Sequence, residues 1–195
     1  MLNRPSAHAA ALTLLLAARA LAADTQVNTY TTSAQSDPSV SLEQDGDFVI
    51  VWASYGSPGS DDDYESIQAR LHASDGSALG PQFQVNTVTL SYQSFPAVAL
   101  DDDGDFVVVW SSGDYFDEEI RARRFASDGS PASDDIQVNT YTTDGQRRPA
   151  VSLDADGDAV IVWSNVASFS IQARRYGSDG DPVGGWDLNE LRTIQ

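Results

Sequence analysis

The sequence of 195 residues contains no cysteine and only two histidines. Without cysteine, an exported chain of this kind has to fold without disulfide bonds. His72 is the only histidine outside the first 23 residues, and it has no counterpart in the sequence repeats described below. A Ser-His-Asp triad and a zinc site are therefore not expected. The sequence also lacks a phosphate-binding loop and a dinucleotide-binding fingerprint.

Basic residues are scarce as well. Lys and Arg together number 11 against 29 acidic residues, which gives a formal net charge of −18. Such a surface repels nucleic acid and anionic membranes and attracts cations. We therefore expect no nucleic-acid partner.

The longest apolar stretch lies near the N-terminus and is short. Residues 10–18 are predominantly apolar, whereas a membrane span needs about 20 such residues, and Arg19 ends the run. Arg4 precedes it and small residues follow it, which is the layout of a secretory signal peptide over residues 1–23. We expect no membrane span and a mature chain that is secreted, extracellular or at the cell surface, or periplasmic. Loss of Arg4 and Arg19 leaves 9 of the 11 basic residues against 29 acidic ones, a formal charge of −20.

The rest of the sequence repeats one unit three times. The motif QVNT begins at positions 26, 84 and 137, and a proline, an Asp-Gly-Asp turn, a tryptophan, an Ile-x-Ala-Arg segment and a Ser-Asp-Gly turn follow in the same order. The recurring landmarks include Pro38, Pro96 and Pro149, then Trp52, Trp110 and Trp163, then Arg70, Arg123 and Arg174. The predicted units are 24–83, 84–136 and 137–195, the last with a degenerate final strand. This period indicates a repeat architecture.

Each unit contains segments typical of four short β-strands. The first reads SVSL, AVAL or AVSL, and the second is a β-branched run such as FVVVW that is apolar on both faces. The third contains the Ile-x-Ala-Arg segment and the fourth surrounds QVNT, with glycine-bearing turns at the hairpins. We predict an all-β fold of three four-stranded antiparallel propeller-like blades. A β-sandwich is the alternative.

Three blades are fewer than the four to eight of known closed propellers. Three arrangements would resolve this: an open arc, a piece of a longer repeat array, or a homo-oligomer in which two chains supply six blades. Open ends would expose strand edges, which favour association.

The three units resemble a family of repeats found in large secreted or surface proteins of bacteria. The shared pattern is QVNT, then PAVA, then DxDGDFVVVW, then IxARRF, then Asp-Gly, and Leu71 stands in the first copy where the others have Arg124 and Arg175. The resemblance covers nearly all of the mature chain. It implies propeller-like or stacked β-repeats in adhesion-type proteins and implies no defined activity.

The Asp-Gly-Asp turns are candidate calcium sites. Oxygen-bearing side chains at alternate positions of a tight loop suit Ca²⁺, which takes six to eight oxygen ligands. The candidate ligands are Glu43, Asp45, Asp47, Asp101, Asp103, Asp105, Asp154, Asp156 and Asp158. The alternative is a hairpin turn alone, in which glycine supplies the positive φ and the aspartates are solvated. A second row of Asp-Gly turns, at Asp75, Asp128 and Asp179, is expected on the same face, where it would add to the field. Binding, if it occurs, is expected at about 10⁻⁴–10⁻³ M.

Two acidic aromatic loops are candidate ligand sites on the opposite face. They vary in length between units, and variable loops on a fixed scaffold are where binding usually occurs. The candidate residues are Asp61, Asp62, Asp63 and Tyr64 in the first loop and Asp114, Tyr115, Phe116 and Asp117 in the second. A protein or a glycan surface could bind there, and solvated loops without function are the alternative.

The remaining recurrent residues are expected to be structural. The tryptophans end the buried strand, so we expect them in the core, and the arginines of the third strand are expected to pair with carboxylates such as those of the hairpins. The S-x-D-x-G-x-T-W box of sialidase-type propellers is absent. The function predicted from sequence is a non-enzymatic interaction or adhesion module, with calcium as a stabilising ion. The alternative is a carbohydrate-binding or carbohydrate-active propeller.

Overall fold

The computed structural model describes residues 24–57, 64–114 and 117–184. These residues form 12 strands in three four-stranded antiparallel sheets, here called blades 1, 2 and 3, and contain no helix, so nothing in them resembles a membrane-spanning helix. The strands of blade 1 are β1 Gln35–Leu42, β2 Phe48–Tyr55, β3 Glu65–His72 and β4 Phe83–Gln84. Those of blade 2 are β5 Gln93–Leu100, β6 Phe106–Ser112, β7 Glu119–Phe125 and β8 Ile136–Gln137. Those of blade 3 are β9 Gln146–Leu153, β10 Ala159–Asn165, β11 Ser170–Tyr176 and β12 Pro182–Val183. The prediction of an all-β fold with three four-stranded blades is confirmed.

Within each blade the strands follow chain order from one edge to the other. The first strands of neighbouring blades contact each other, β1 with β5 and β5 with β9, so the blades converge at this edge. Each first strand contains a bulge where the residue before the recurrent proline has positive φ, namely Asp37, Phe95 and Arg148. Proline cannot donate a ladder hydrogen bond, which is why a bulge accommodates it.

Two apolar clusters fill the spaces between the blades. One lies between blades 1 and 2 and includes Val51, Ile67, Val108 and Phe125, and the other lies between blades 2 and 3. The three recurrent tryptophans are buried, as predicted, and Trp110 and Trp163 belong to these two clusters. Each indole N–H donates to a glutamine 17 residues earlier. The acceptors are Gln35, Gln93 and Gln146 at 2.9, 2.8 and 2.9 Å. Each indole is thereby tied to the start of its own blade's first strand.

The fourth strand is shorter than the QVNT pattern predicts. Only Gln84 and Gln137 of the QVNT copies pair in the β ladders of blades 1 and 2. The following asparagine uses its side chain instead: Asn86 Oδ1 accepts from Ile67 N at 2.8 Å, and Asn139 Oδ1 accepts from Ile120 N at 2.7 Å. In blade 3, β12 pairs with the end of β11, and the predicted degenerate strand at 186–189 lies outside the described residues.

The recurrent arginines do not pair with the hairpin carboxylates, contrary to the sequence prediction. Their Nη1 atoms donate to backbone carbonyls of the preceding QVNT segment, that is, Arg70 to Val27, Arg123 to Val85 and Arg174 to Val138, at 2.6, 2.8 and 2.8 Å. The carboxylate near the Arg123 guanidinium is Asp135, at 3.7 Å. A guanidinium reaches these carbonyls because its several donors fit buried acceptors on an adjacent segment.

Candidate functional site

The two ends of the blades carry different chemistry. One end, here called the turn face, holds the hairpin turns between the first and second strands and the Asp-Gly turns after the third. The other end, here called the loop face, holds the starts of β1, β5 and β9 and the connections into β3, β7 and β11. The predicted calcium ligands lie on the turn face, and the described residues of the two predicted ligand loops lie on the loop face.

On the turn face, the carboxylate at the first position of the motif organises its own turn. Asp101 Oδ1 accepts from the N–H groups of Asp103 and Asp105 at 3.0 Å each. Asp154 Oδ1 does the same for Asp156 and Asp158, at 3.1 and 2.9 Å. In the first copy the longer Glu43 does not do so, and Asp45 Oδ1 instead accepts from Asp47 N at 3.0 Å. Gly104 has φ of +79°, and a Cβ there would lie 2.9 Å from Glu43 Oε2, so the turn needs glycine for two reasons.

The carboxylate at the last position links the two rows of turns. Asp47, Asp105 and Asp158 accept through Oδ1 from the N–H groups of Ser74, Ser127 and Ser178 at 2.8, 3.0 and 2.9 Å. The two rows are therefore adjacent on one face, which confirms that part of the sequence prediction. These bonds give two of the three alternate carboxylates a structural role.

Calcium remains a prediction for this face. Among the described residues, no three His, Cys, Asp or Glu side chains converge closely enough to hold a metal ion. The carboxylates nevertheless affect one another across the interface between blades 1 and 2. Burial, followed by the charges of Asp45, Asp47, Asp101 and Asp103, raises the pKa of Glu43, and burial is the main reason that the pKa of Asp101 is also raised.

On the loop face, the structure describes three of the eight predicted ligand residues. The Tyr64 ring packs against Tyr92 with centroids 4.9 Å apart, which joins the blade 1 loop to the segment entering blade 2. Asp114 Oδ1 accepts from Ser91 Oγ at 2.5 Å, and Asp117 N donates to the Asp114 carbonyl at 2.9 Å. The other five lie outside the described residues, namely Asp61, Asp62, Asp63, Tyr115 and Phe116.

The structure adds a carboxylate pair that the sequence prediction missed. Asp37 occupies the bulge of β1, and Glu65 begins β3 of the same blade. Glu65 is partly buried, and this burial, together with the charge of Asp37, raises the pKa of Glu65. The pair joins residues 28 positions apart in the sequence, and only the sheet topology brings them together.

A second group lies between blades 2 and 3 on the loop face. Glu118, which is buried, forms an ion pair with Arg147 Nε, and the Glu118 carbonyl accepts from Gln146 N at 2.8 Å. The neighbouring Arg148 guanidinium lies 5.1 Å from the centroid of the Phe95 ring. A cleft that includes Gln146 is lined by amides and aromatic rings, among them Tyr141, Trp163, Asn165 and Gln172.

Backbone strain is concentrated on the loop face. Within the described residues, every non-glycine residue with positive φ lies there: Asp37, Ser91, Phe95, Asp144, Arg148 and Phe169, with φ of 50–66°. Such conformations cost about 1–3 kcal/mol each and tend to cluster at ligand sites. The loop face is therefore the stronger candidate for a binding or catalytic surface.

No protein-family model matches the sequence, and no curated protein matches it. Solved structures do resemble the fold. A Hadza microbial sialidase matches with a TM-score of 0.50 at 13% identity, over 73% of this chain and 34% of the sialidase. An endo-arabinase from Bacteroides thetaiotaomicron matches with 0.48 at 18% identity, over 83% and 60% of the two chains. A GH43 endo-arabinanase from Bacillus licheniformis matches with 0.44 at 12% identity, over 76% and 56%.

These matches concern the fold, because the identities are low, and the chain spans 34–60% of the length of the three structures. The match to the sialidase supports the propeller-like architecture. The sequence prediction that the chain is not an enzyme is not upheld, because the fold on which it was based is also the fold of a sialidase.

Proposed function

We propose that this chain is a carbohydrate-active propeller module whose glycan site lies on the loop face. The observation that carries the proposal is the Asp37–Glu65 pair at the strained bulge of β1. Glycoside cleavage uses two carboxyl groups, one protonated as a general acid and the other ionised. An environment that separates the pKa values of two neighbouring carboxyl groups supplies this division of roles.

Glu65 is the candidate general acid in this scheme. Its partial burial and the neighbouring Asp37 carboxylate favour the protonated form, so its pKa is raised. Asp37, the candidate second carboxylate, is exposed, and its Oδ2 accepts from Ser36 Oγ at 3.1 Å. Activity should fall as pH rises through the raised pKa of Glu65, because the acid is then deprotonated.

Aromatic rings complete the proposed glycan surface. The Tyr64–Tyr92 pair adjoins Glu65 in the chain, and aromatic faces stack on the apolar faces of sugar rings. The names of the similar sialidase and endo-arabinase suggest sialylated glycans and arabinan as the first substrates to test.

The test is a release assay on these glycans with the wild-type chain, Glu65→Gln and Asp37→Asn. We expect each variant to lower the rate by about 10²–10⁴-fold, the usual contribution of an acid–base group. Asp134→Asn is the control, because Asp134 is exposed in the β7–β8 connection, away from the loop face. Equal rates in wild type and Glu65→Gln would contradict the assigned role. No turnover and no binding across the panel would contradict the function.

A further inference from the structure

We infer that two copies of this chain associate head to tail, with blade 3 of one copy packing on blade 1 of the other, and that two such contacts close a six-bladed ring. This inference is independent of the proposed glycan site. It depends on the fact that the chain contains two internal examples of the contact, between blades 1 and 2 and between blades 2 and 3.

The two internal contacts use the same repeat positions. The side of each blade that faces the next one, here called the forward face, presents Val49, Val51, Ile67 and Ala69 in blade 1 and Val107, Val109, Ile120 and Ala122 in blade 2. The side that faces the preceding blade, here called the backward face, presents Val98, Leu100, Phe106 and Val108 in blade 2 and Val151, Leu153, Ala159 and Ile161 in blade 3.

Blade 3 has the same forward face, with no described blade against it. Its residues at the four positions are Val160, Val162, Ile171 and Ala173. Ile171 is 73% exposed, whereas its counterparts Ile67 and Ile120 are both 0% exposed. The same isoleucine side chain is therefore buried in blades 1 and 2 and exposed in blade 3.

Blade 1 has the same backward face, also with no described blade against it. The residues are Val40, Leu42, Phe48 and Ile50. Val40 is 62% exposed and its counterpart Val98 is 7% exposed. Among the described residues, blade 3 thus presents a forward face and blade 1 a backward face, with compositions similar to those of the faces in contact between blades 1 and 2.

The residues that form a polar contact between blades 1 and 2 have counterparts on the two uncovered faces. Between blades 1 and 2, Leu100 N donates to Ser41 Oγ at 3.2 Å. The Ser41 position is occupied by serine again in blade 3, as Ser152, and the Leu100 position in blade 1 is Leu42. The proposed contact therefore allows Leu42 N of one copy to donate to Ser152 Oγ of the other.

The arginine contact between blades 2 and 3 points to the same pairing. Arg124 donates from Nη1 to the Gly157 carbonyl at 3.1 Å and from Nη2 to the Gly177 carbonyl at 2.8 Å. Arg175 is the counterpart of Arg124, and Gly46 and Ala73 are the counterparts of the two glycines in blade 1. We expect Arg175 to reach those two carbonyls across the contact between copies.

These observations favour a second copy of this chain as the partner of the forward face of blade 3. The second copy supplies a backward face of matching composition, and two copies can close into a ring. A heterologous contact closes into a ring only when the rotations add up to a full turn. Two copies give six blades, within the four to eight found in closed propellers, and leave neither face exposed.

The first test is the solution mass by light scattering across a range of protein concentrations. We expect twice the mass of one chain for the wild type and a fall to the mass of one chain for Ile171→Glu and for Val40→Glu. Both side chains are exposed within one chain, so the melting of the separated chains should be little changed. Leu90→Glu, at a residue that is 81% exposed on the loop face, is the control and should remain a dimer. A single-chain mass for the wild type, a mass that keeps growing with concentration, or dimers that survive both face variants would overturn the inference.

The second test uses cysteine pairs, since the chain has no cysteine of its own. Ser41→Cys with Leu100→Cys joins positions adjacent within one chain, and it should form a disulfide inside the monomer band. Leu42→Cys with Ser152→Cys places cysteines at the equivalent positions of the two free faces. Oxidation of this second variant should give a dimer band under non-reducing conditions. Cross-linking of the first pair without cross-linking of the second would overturn the inference.

Discussion

Replacing Asn139 with alanine tests how the QVNT segment is held against the third strand of its own blade. Asn139 is buried, accepts from the buried Ile120 N–H at 2.7 Å and donates to the Tyr141 carbonyl at 2.9 Å. The substitution leaves the Ile120 N–H without this acceptor in the core, which costs about 1–3 kcal/mol. Loss of the second hydrogen bond adds about 0.5–1.5 kcal/mol. We therefore expect the free energy of unfolding to fall by about 3 kcal/mol.

The repeat supplies a matched control. Asn28 occupies the same motif position but precedes blade 1, and its described hydrogen bond is the one from Nδ2 to the Tyr30 carbonyl. Asn28→Ala should cost about 1 kcal/mol, the value of a single ordinary hydrogen bond. Asn86→Ala should behave like Asn139→Ala, because Asn86 accepts from Ile67 N at 2.8 Å in the same way.

The measurement is urea unfolding followed by tryptophan fluorescence, with thermal melts alongside. At this chain length, about 3 kcal/mol corresponds to a fall in melting temperature of about 6–12 °C. Equal losses of stability in Asn28→Ala and Asn139→Ala would refute the stabilising role assigned to the buried hydrogen bond between Ile120 N and Asn139 Oδ1.

Three further predictions concern charge. Glu43→Gln should raise the melting temperature at pH 7.5 by about 1–3 °C and change little at pH 4, because a carboxyl with a raised pKa in the folded state favours folding at low pH and loses that contribution as pH rises. Glu118→Gln should cost about 3 kcal/mol in urea unfolding, because it leaves Arg147 partly buried without its carboxylate. If calcium binds the turn face, millimolar calcium should raise the melting temperature, and Asp103→Asn with Asp156→Asn should reduce that response.

Each of these has its own control or contradicting outcome. A lower melting temperature for Glu43→Gln at pH 7.5 would refute the proposed repulsion. Glu119→Gln is the control for Glu118→Gln, because its ion pair with Arg121 is 3.7 Å long and more exposed, and it should cost less than about 1 kcal/mol. Melting that is unchanged from zero to several millimolar calcium would dismiss the metal.

The strands could be predicted because local features determine them. The run from Phe106 to Trp110 is β-branched and apolar, and Asp-Gly marks the hairpin before it, so both strand and turn follow from nearby residues. The three-fold recurrence then fixed the number of blades. What the chain end beyond residue 184 contributes to blade 3 lies outside the described residues.

The contacts between segments could not be predicted in the same way. Arg123 donates to a carbonyl 38 residues earlier, and the charge of Asp37 in the β1 bulge acts on Glu65 at the start of β3, so both interactions depend on topology rather than on spacing. One usable sign was present in the sequence. Asn86 and Gln93 recur at the same position in all three units, and an amide that recurs beside buried strands indicates a side chain that bonds to the backbone or to an indole.

The outermost described strands, β4, β8 and β12, are two residues long. A sheet edge of that length offers too few free N–H and C=O groups to template the addition of another chain, so the circumference of the molecule is protected against amyloid-like growth. We expect concentrated solutions to stay free of fibrils. We therefore expect other molecules to bind at the broad sides and ends of the blades, through side-chain contacts rather than backbone hydrogen bonds.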